Sequence, residues 1–173
     1  EKVERYWFGY ESACEAAAHF DFIVLPGAEI TFYYHMNDYL LFGLTKEFLL
    51  EHEEMYNWTI EKLYKVVHES GLMLFQAHPF RTNLMYRVPN RLIDGMEIYN
   101  GSSHYDPFIE KTSEYIHSQG LLAISGSDFH SMQDLARGGI ETPTRIQNSE
   151  DLLSVLRSGD FIPIIPSGEI ESL

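Results

Sequence analysis

The stretch "LLAISGSDFHS" (residues 121–131) carries the strongest indication of the fold. An apolar run ends in small residues, a pattern typical of a strand followed by a loop. Alternate residues of a strand point to the same face, so an extended "LLAISGSD" would direct Asp128 and His130 toward one point. The stretch therefore predicts a strand whose carboxyl end carries a functional site.

The rest of the chain predicts that strands alternate with helices. The alanine-rich segment 5–20 favours a helix, and β-branched or apolar runs favour strands. Such alternation predicts parallel crossovers and therefore a doubly wound sheet or a barrel. The predicted strands are 22–31, 39–44, 71–79, 95–100 and 121–128, and the predicted helices are 5–20, 57–70 and 106–120.

The composition limits the class of protein. A chain of 173 residues with 45% hydrophobic content is expected to form one domain with a sizeable core. Its formal charge of −14 argues against binding to a nucleic-acid backbone. The single cysteine, Cys14, cannot form an internal disulfide, and no apolar run approaches the ~20 residues of a membrane span. We expect a cytoplasmic protein without a membrane partner, and the oligomeric state stays open.

Polar residues follow successive apolar runs. Glu29, His78, Asn100, Asp128 and His130 each lie at or just past the end of a predicted strand. Active sites of barrels and open α/β sheets are built at this edge. Imidazole and carboxylate ligands suit zinc, manganese or iron, and a carboxylate can bridge two metals about 3.5 to 4 Å apart. The pattern predicts a metal cluster.

Each of these residues also has a structural interpretation. His78 alone is typical of a hydrogen-bonded structural histidine, and Glu29 alone could cap a helix. Asp128 could be the N-cap of the segment "HSMQDLA", because Asp is favoured at that position. The convergence of several such residues on one edge favours the metal site over these alternatives.

Four motifs resemble those of a known family. "PGAEIT" (26–31), "AHPF" (77–80), "DGMEIYNG" (94–101) and "SGSDFHS" (125–131) are similar to the later motifs of the PHP (polymerase and histidinol phosphatase) domain. The closing stretch 136–161 is also similar to the usual tail of that family. The resemblance implies an α/β fold, a distorted (β/α)7 barrel that holds two or three divalent metals (Zn, Mn or Fe) and hydrolyses phosphate esters.

The resemblance also implies roles for individual residues. Glu29 would bridge two metals, His78 would bind one of them, Asp128 the other, and His130 a third. A further ligand is expected near the second strand. Where the family has a histidine five residues before a glycine, this chain has Asp38, which we prefer as the ligand over His35.

The family's opening H-x-H motif is missing from this sequence. The chain starts at Glu1 without an initiator methionine. We therefore expect residues 1–173 to form a single PHP-like domain that lacks the first strand and its motif. The expected barrel is then incomplete at its N-terminus.

These features predict a metal-dependent hydrolase that attacks a small-molecule phosphate ester with a metal-bound hydroxide. Glu29 and Asp128 are the predicted catalytic residues. Arg81, Arg137 and His104 are the predicted substrate-binding residues, since guanidinium groups pair well with phosphate. Two alternatives are a degenerate or truncated domain used for binding or regulation and, less favoured, a serine hydrolase. The serine hydrolase is less favoured because this sequence contains no G-x-S-x-G motif.

Overall fold

The structure, a computed structural model, describes residues 1–82, 85–102 and 108–167. Five α-helices and seven strands lie in these ranges, together with two short 3-10 turns at Met55–Asn57 and Met132–Asp134. The helices are α1 (Lys2–Ala17), α2 (Lys46–Glu51), α3 (Ile60–Glu69), α4 (Ile109–Gln119) and α5 (Ser149–Ser158). The strands are β1 (Gly27–Thr31), β2 (Asp38–Phe42), β3 (Met73–Gln76), β4 (Gly95–Asn100), β5 (Leu122–Gly126), β6 (Gly139–Glu141) and β7 (Ile162–Ile164).

Strands β1 to β5 form one mixed sheet in chain order. The pairs β1–β2 and β2–β3 are antiparallel, whereas β3, β4 and β5 run parallel to one another. The short connection 32–37 joins β1 to β2 as a hairpin. Strands β6 and β7 form a separate antiparallel pair.

The expected distorted (β/α)7 barrel is wrong, because the described residues form this mixed sheet and no closed barrel. Two helices, α2 and α3, separate β2 from β3, and the chain re-enters the sheet at the end where it left, with Met73 opposite Phe42. The intervening helices therefore produce an antiparallel pair instead of the predicted parallel crossover.

The two edges of the sheet differ. At one edge, the hydroxyl of Ser125 on β5 lies 2.7 Å from the carbonyl oxygens of Gly139 and Ile164, which belong to the β6–β7 pair. At the other edge, β1 pairs only with β2 among the described strands. The β6–β7 pair lies beside β5, and β1 has no second partner among the described strands, so the sheet does not close.

The sheet is covered on both faces. On β3, Leu74 belongs to the larger apolar cluster that includes residues of α1, α2 and α3. Its neighbours Met73 and Phe75 pack in a second cluster with Leu153 and Leu156 of α5. Every residue of β3 is buried, as expected for a strand between two layers.

The topology gathers several loops at one edge of the sheet. The backbone N–H of Ala77 donates to the carbonyl oxygen of Asp38 (3.0 Å), so the end of β3 lies beside the start of β2. The parallel strands β4 and β5 end at the same edge. No helix in the described ranges has the length and apolar character of a membrane span.

Candidate metal centre

Three side chains from different strand segments meet at this edge. Glu29 on β1 lies opposite Leu40, and Asp38 lies two residues before Leu40 on the same face of β2. His78 follows the end of β3. The ligand atoms of Glu29, Asp38 and His78 all lie within 4.8 Å of one another, and we call these three residues the triad.

The spacing within the triad fits a single cation. The His78 Nε2 atom lies 3.3 Å from Glu29 Oε1 and 3.4 Å from Asp38 Oδ2. Donor atoms about 2.1 Å from one tetrahedral ion lie roughly 3.4 Å apart. An imidazole and two carboxylates are also a donor set that zinc, manganese and iron accept.

Glu29 and His78 of the triad shift each other's pKa. The hydrogen bond with His78 holds the pKa of Glu29 below its usual value, and the charges of Arg81 and His130 lower it further. Burial alone would lower the pKa of His78, but the hydrogen bond with Glu29 and the charge of Glu97 outweigh burial and raise it. Glu29 is therefore ionised at neutral pH and available as a ligand.

Glu97 on β4 holds the backbone that presents His78. Its Oε2 atom accepts hydrogen bonds from the His78 N–H (2.9 Å) and the Asn100 side-chain amide (3.0 Å). Burial raises the pKa of Glu97 to about 7 in spite of these two donors. A Cβ atom on Gly126 would lie 3.0 Å from Glu97 Oε1, so glycine leaves room for the carboxylate. Glu97 therefore supports the backbone of His78 and is not itself one of the triad residues.

The loop after β5 carries Asp128 and His130, which we call the loop pair. The strand ends at Gly126, two residues earlier than predicted, and Asp128 has a left-handed backbone with φ 45°. The rule of alternating faces therefore does not apply to the loop pair. Instead, the His130 Nδ1–H donates to the carbonyl oxygen of Asp128 (2.7 Å), which leaves Nε2 available as a ligand atom.

His78 and Asp128 share two unusual features. Both have positive φ values, 26° for His78 and 45° for Asp128, a costly conformation that is often found at functional sites. In the described part of the chain, His78 Nδ1 and Asp128 Oδ2 are the buried side-chain polar atoms without a hydrogen-bond partner. A buried carboxylate oxygen without a donor is the kind of atom that a cation satisfies.

Arg81 contacts the triad directly. Its Nη1 atom lies 3.0 Å from His78 Nε2. One ring nitrogen carries either a proton for Glu29 or a lone pair for Arg81, but not both at once. The lone pair that accepts from Arg81 is the same one that a metal would need.

The other predicted substrate residues are placed differently. Arg137 Nη2 lies 3.4 Å from the hydroxyl of Tyr99 on β4. His104 lies outside the described residues, as does Pro107 near the predicted helix start.

The geometry distinguishes Asp38 from His35. His35 Nδ1 accepts the N–H of Asn37 (3.2 Å), and its Nε2 lies 3.3 Å from the Tyr86 hydroxyl. Asp38, the preferred residue, belongs to the triad, and Thr31 donates a short hydrogen bond to its Oδ1 atom.

Asp134 is important for the loop pair but was not predicted from the sequence. This fully buried carboxylate accepts hydrogen bonds from the His130 N–H (3.2 Å) and from the Ser131 N–H (2.8 Å) and hydroxyl (2.9 Å). Ser131 and Asp134 form a capping box, so Ser131 and not Asp128 is the N-cap of this turn. The S-x-x-D spacing of "SMQD" is the signal that could have revealed it.

A family comparison relates part of the chain to PHP proteins. Residues 110–161 match the family model described as PHP-associated. This segment includes the loop pair but none of the triad. The match and the triad together fit a PHP-related domain with a candidate metal centre.

Among solved structures, the crystal structure of PsfC from Pseudomonas syringae PB-5123 is similar, with a TM-score of 0.67 and 16% sequence identity. The similarity covers 85% of this chain and 61% of that chain, so this chain spans about three fifths of that protein. At this identity the similarity establishes a shared fold. No curated protein matches the chain.

Proposed function

We propose that the protein is a metal-dependent hydrolase of small-molecule phosphate esters. The observation that carries the proposal is the triad, in which two carboxylates and an imidazole bring their ligand atoms within 4.8 Å of one another. The PHP-associated match to residues 110–161 supports the proposal from a separate part of the chain.

The proposed ligands divide between the triad and the loop pair. Glu29, Asp38 and His78 would hold the first divalent cation, and Asp128 with His130 would contribute to a second or third. The donor types suit zinc, manganese or iron. When bound, such cations supply polarisation of phosphate oxygens and activation of water at neutral pH.

The residues around the triad would orient the substrate. Arg81 lies beside His78, and its N–H donors can pair with phosphate oxygens when they are not directed at the imidazole. Arg137 and His104 stay predictions as further substrate residues. Glu97 would keep the backbone of His78 in place while phosphate binds.

Metal analysis and hydrolysis of p-nitrophenyl phosphate test this proposal together. Protein equilibrated with Mn²⁺ or Zn²⁺ and then dialysed should retain metal and hydrolyse the ester, and Glu29→Gln should lose both properties. The control Glu53→Gln changes an exposed glutamate outside the triad and should behave as the unmodified protein. Hydrolysis that persists in Glu29→Gln, or after the metal is removed with a chelator, would contradict the proposal.

A second candidate is a domain used for binding or regulation without catalysis. The contact between Arg81 and His78 Nε2 favours it, because the guanidinium already supplies a positive charge beside the triad. If Arg81 permanently replaces a metal, Arg81→Gln should create metal binding that the unmodified protein lacks. If the first proposal holds, the unmodified protein should bind metal without this substitution.

A further inference from the structure

A second cleft, away from the triad, carries basic and aromatic residues. Its volume is about 400 Å³, and it is lined by Phe80, Arg87, Lys111, Glu114, Tyr115 and Ser118. The chain has 26 acidic residues and only 12 Lys and Arg, yet this cleft is lined by two cations and a single carboxylate. We call this region the basic cleft.

Aromatic rings hold the two cations of the basic cleft. The Arg87 guanidinium carbon lies 5.1 Å from the centroid of the Phe80 ring and 5.9 Å from that of Tyr115. The Lys111 ammonium lies 5.1 Å from the centroid of the Phe108 ring. Rings attract the positive charge of a cation but do not replace a carboxylate as hydrogen-bond acceptor.

Neither cation forms an ion pair with a carboxylate within the described ranges. Glu114 lines the same cleft but is not within ion-pairing distance of Arg87 or Lys111. A guanidinium that rings hold in place loses little side-chain freedom when it binds a planar or tetrahedral oxyanion. Its N–H donors can then form two parallel hydrogen bonds with that anion.

We propose that the basic cleft binds the oxyanion of a small molecule, a phosphate or a carboxylate, through Arg87 and Lys111. Phe80 and Tyr115 position Arg87, and Glu114 weakens the site by repulsion. The volume of about 400 Å³ leaves room for an organic group attached to the anion. This binding does not depend on the proposed hydrolysis.

The basic cleft and the triad share one short loop. Phe80 lines the cleft, while the next residue, Arg81, contacts His78. An anion in the cleft would therefore rest against the loop that also presents a triad residue. The binding test must therefore distinguish an anion in the basic cleft from an anion at the triad.

An NMR titration of metal-stripped protein with sodium phosphate tests the proposal, with sodium chloride at equal ionic strength as reference. Phosphate should produce saturable shifts of the α4 amides near Lys111 and Tyr115. Arg87→Gln should weaken this binding about tenfold or more, since it removes a charged bidentate donor. Glu114→Gln should strengthen it about threefold, because a nearby like charge is removed.

Two arginine variants serve as controls. Arg91→Gln changes an exposed arginine of the same segment that does not line the cleft, and Arg81→Gln changes the arginine that contacts His78 of the triad. Both should leave the α4 shifts intact. Loss of the shifts in Arg81→Gln with their retention in Arg87→Gln would assign the binding to the triad and overturn the proposal.

Two further outcomes decide the matter. Equal shifts with chloride, or none with phosphate or acetate at tens of millimolar, would also overturn the proposal. A comparison of the phosphate and acetate titrations identifies the preferred oxyanion, since either one that saturates at α4 supports the site.

Because Arg87 and Lys111 are both exposed, neither substitution should unfold the protein, and Lys111→Gln provides a second loss-of-charge variant.

Discussion

The triad and the loop pair hold their ligands in different ways. Glu29 and Asp38 lie on paired strands, and His78 lies two residues after the end of β3, with its side chain only 7% exposed. In the loop pair, the His130 side chain is 64% exposed. Its position depends on loop hydrogen bonds to Asp134.

This difference indicates how each set would bind metal. Ligands fixed by sheet register need little rearrangement, so the triad is largely preformed. Ligands on a loop must be ordered first, and that ordering costs conformational entropy. We therefore expect the triad to bind a metal first and the loop pair to bind a second ion more weakly.

The largest expected effect comes from His78→Ala, which removes the buried ligand of the triad. Metal affinity in a calorimetric titration should fall by more than about 100-fold. This loss is larger than the 10- to 100-fold loss that is typical when a group that only orients a metal ligand is removed. The control His68→Ala changes a histidine that also faces a carboxylate, Asp94 at 3.1 Å, at the amino end of β4. Unchanged affinity in His78→Ala would contradict this expectation, because the triad would then not be the tight metal site.

Asp128→Asn should separate the two sets of ligands. Asparagine keeps the shape and tolerates the left-handed backbone at this position, but it loses the charge. The first metal should stay bound to the triad, while hydrolysis of p-nitrophenyl phosphate falls to background. An exposed aspartate changed in the same way, Asp160→Asn, should have no effect on either measurement. Unaltered turnover in Asp128→Asn would mean that the loop pair is not needed for catalysis.

Glu97→Gln should weaken the triad without removing a ligand. The amide oxygen of glutamine can still accept from the His78 N–H and the Asn100 amide, but without the negative charge of a carboxylate both hydrogen bonds become weaker. Metal affinity should fall roughly 10- to 100-fold, as for other groups that orient metal ligands. Circular dichroism should still report a folded protein. A loss no greater than that of His68→Ala would exclude a positioning role for Glu97.

The smallest effect on the triad is expected from Asp134→Ala. This change leaves the N–H groups of His130 and Ser131 without their acceptor and should lower the free energy of unfolding by about 1–3 kcal/mol. Denaturant unfolding measures the loss, and Ser131→Ala should cost about 1 kcal/mol as the loss of an N-cap. Metal affinity of the triad should stay within twofold of the unmodified protein, and a larger fall would show that the two regions are coupled.

Local sequence patterns were enough to predict the positions of several strands and the types of side chain at one sheet edge. Apolar runs predicted strands that overlap β2, β4 and β5, because hydrophobic periodicity is a local property. The strand predicted over 22–31 begins only at Gly27, after Pro26, which cannot donate a backbone hydrogen bond. The predicted sites for metal ligands included all three residues of the triad.

The direction of the strands and the contacts within the site could not be predicted from local sequence patterns. Strand direction depends on the path of the connecting chain, and the hairpin 32–37 and the α2–α3 excursion made β1–β2 and β2–β3 antiparallel. The approach of Glu29 and Asp38 to His78 and the hydrogen bond from the His78 N–H to Glu97 join residues far apart in sequence. Local periodicity carries no information about such contacts, because the surrounding packed structure imposes them.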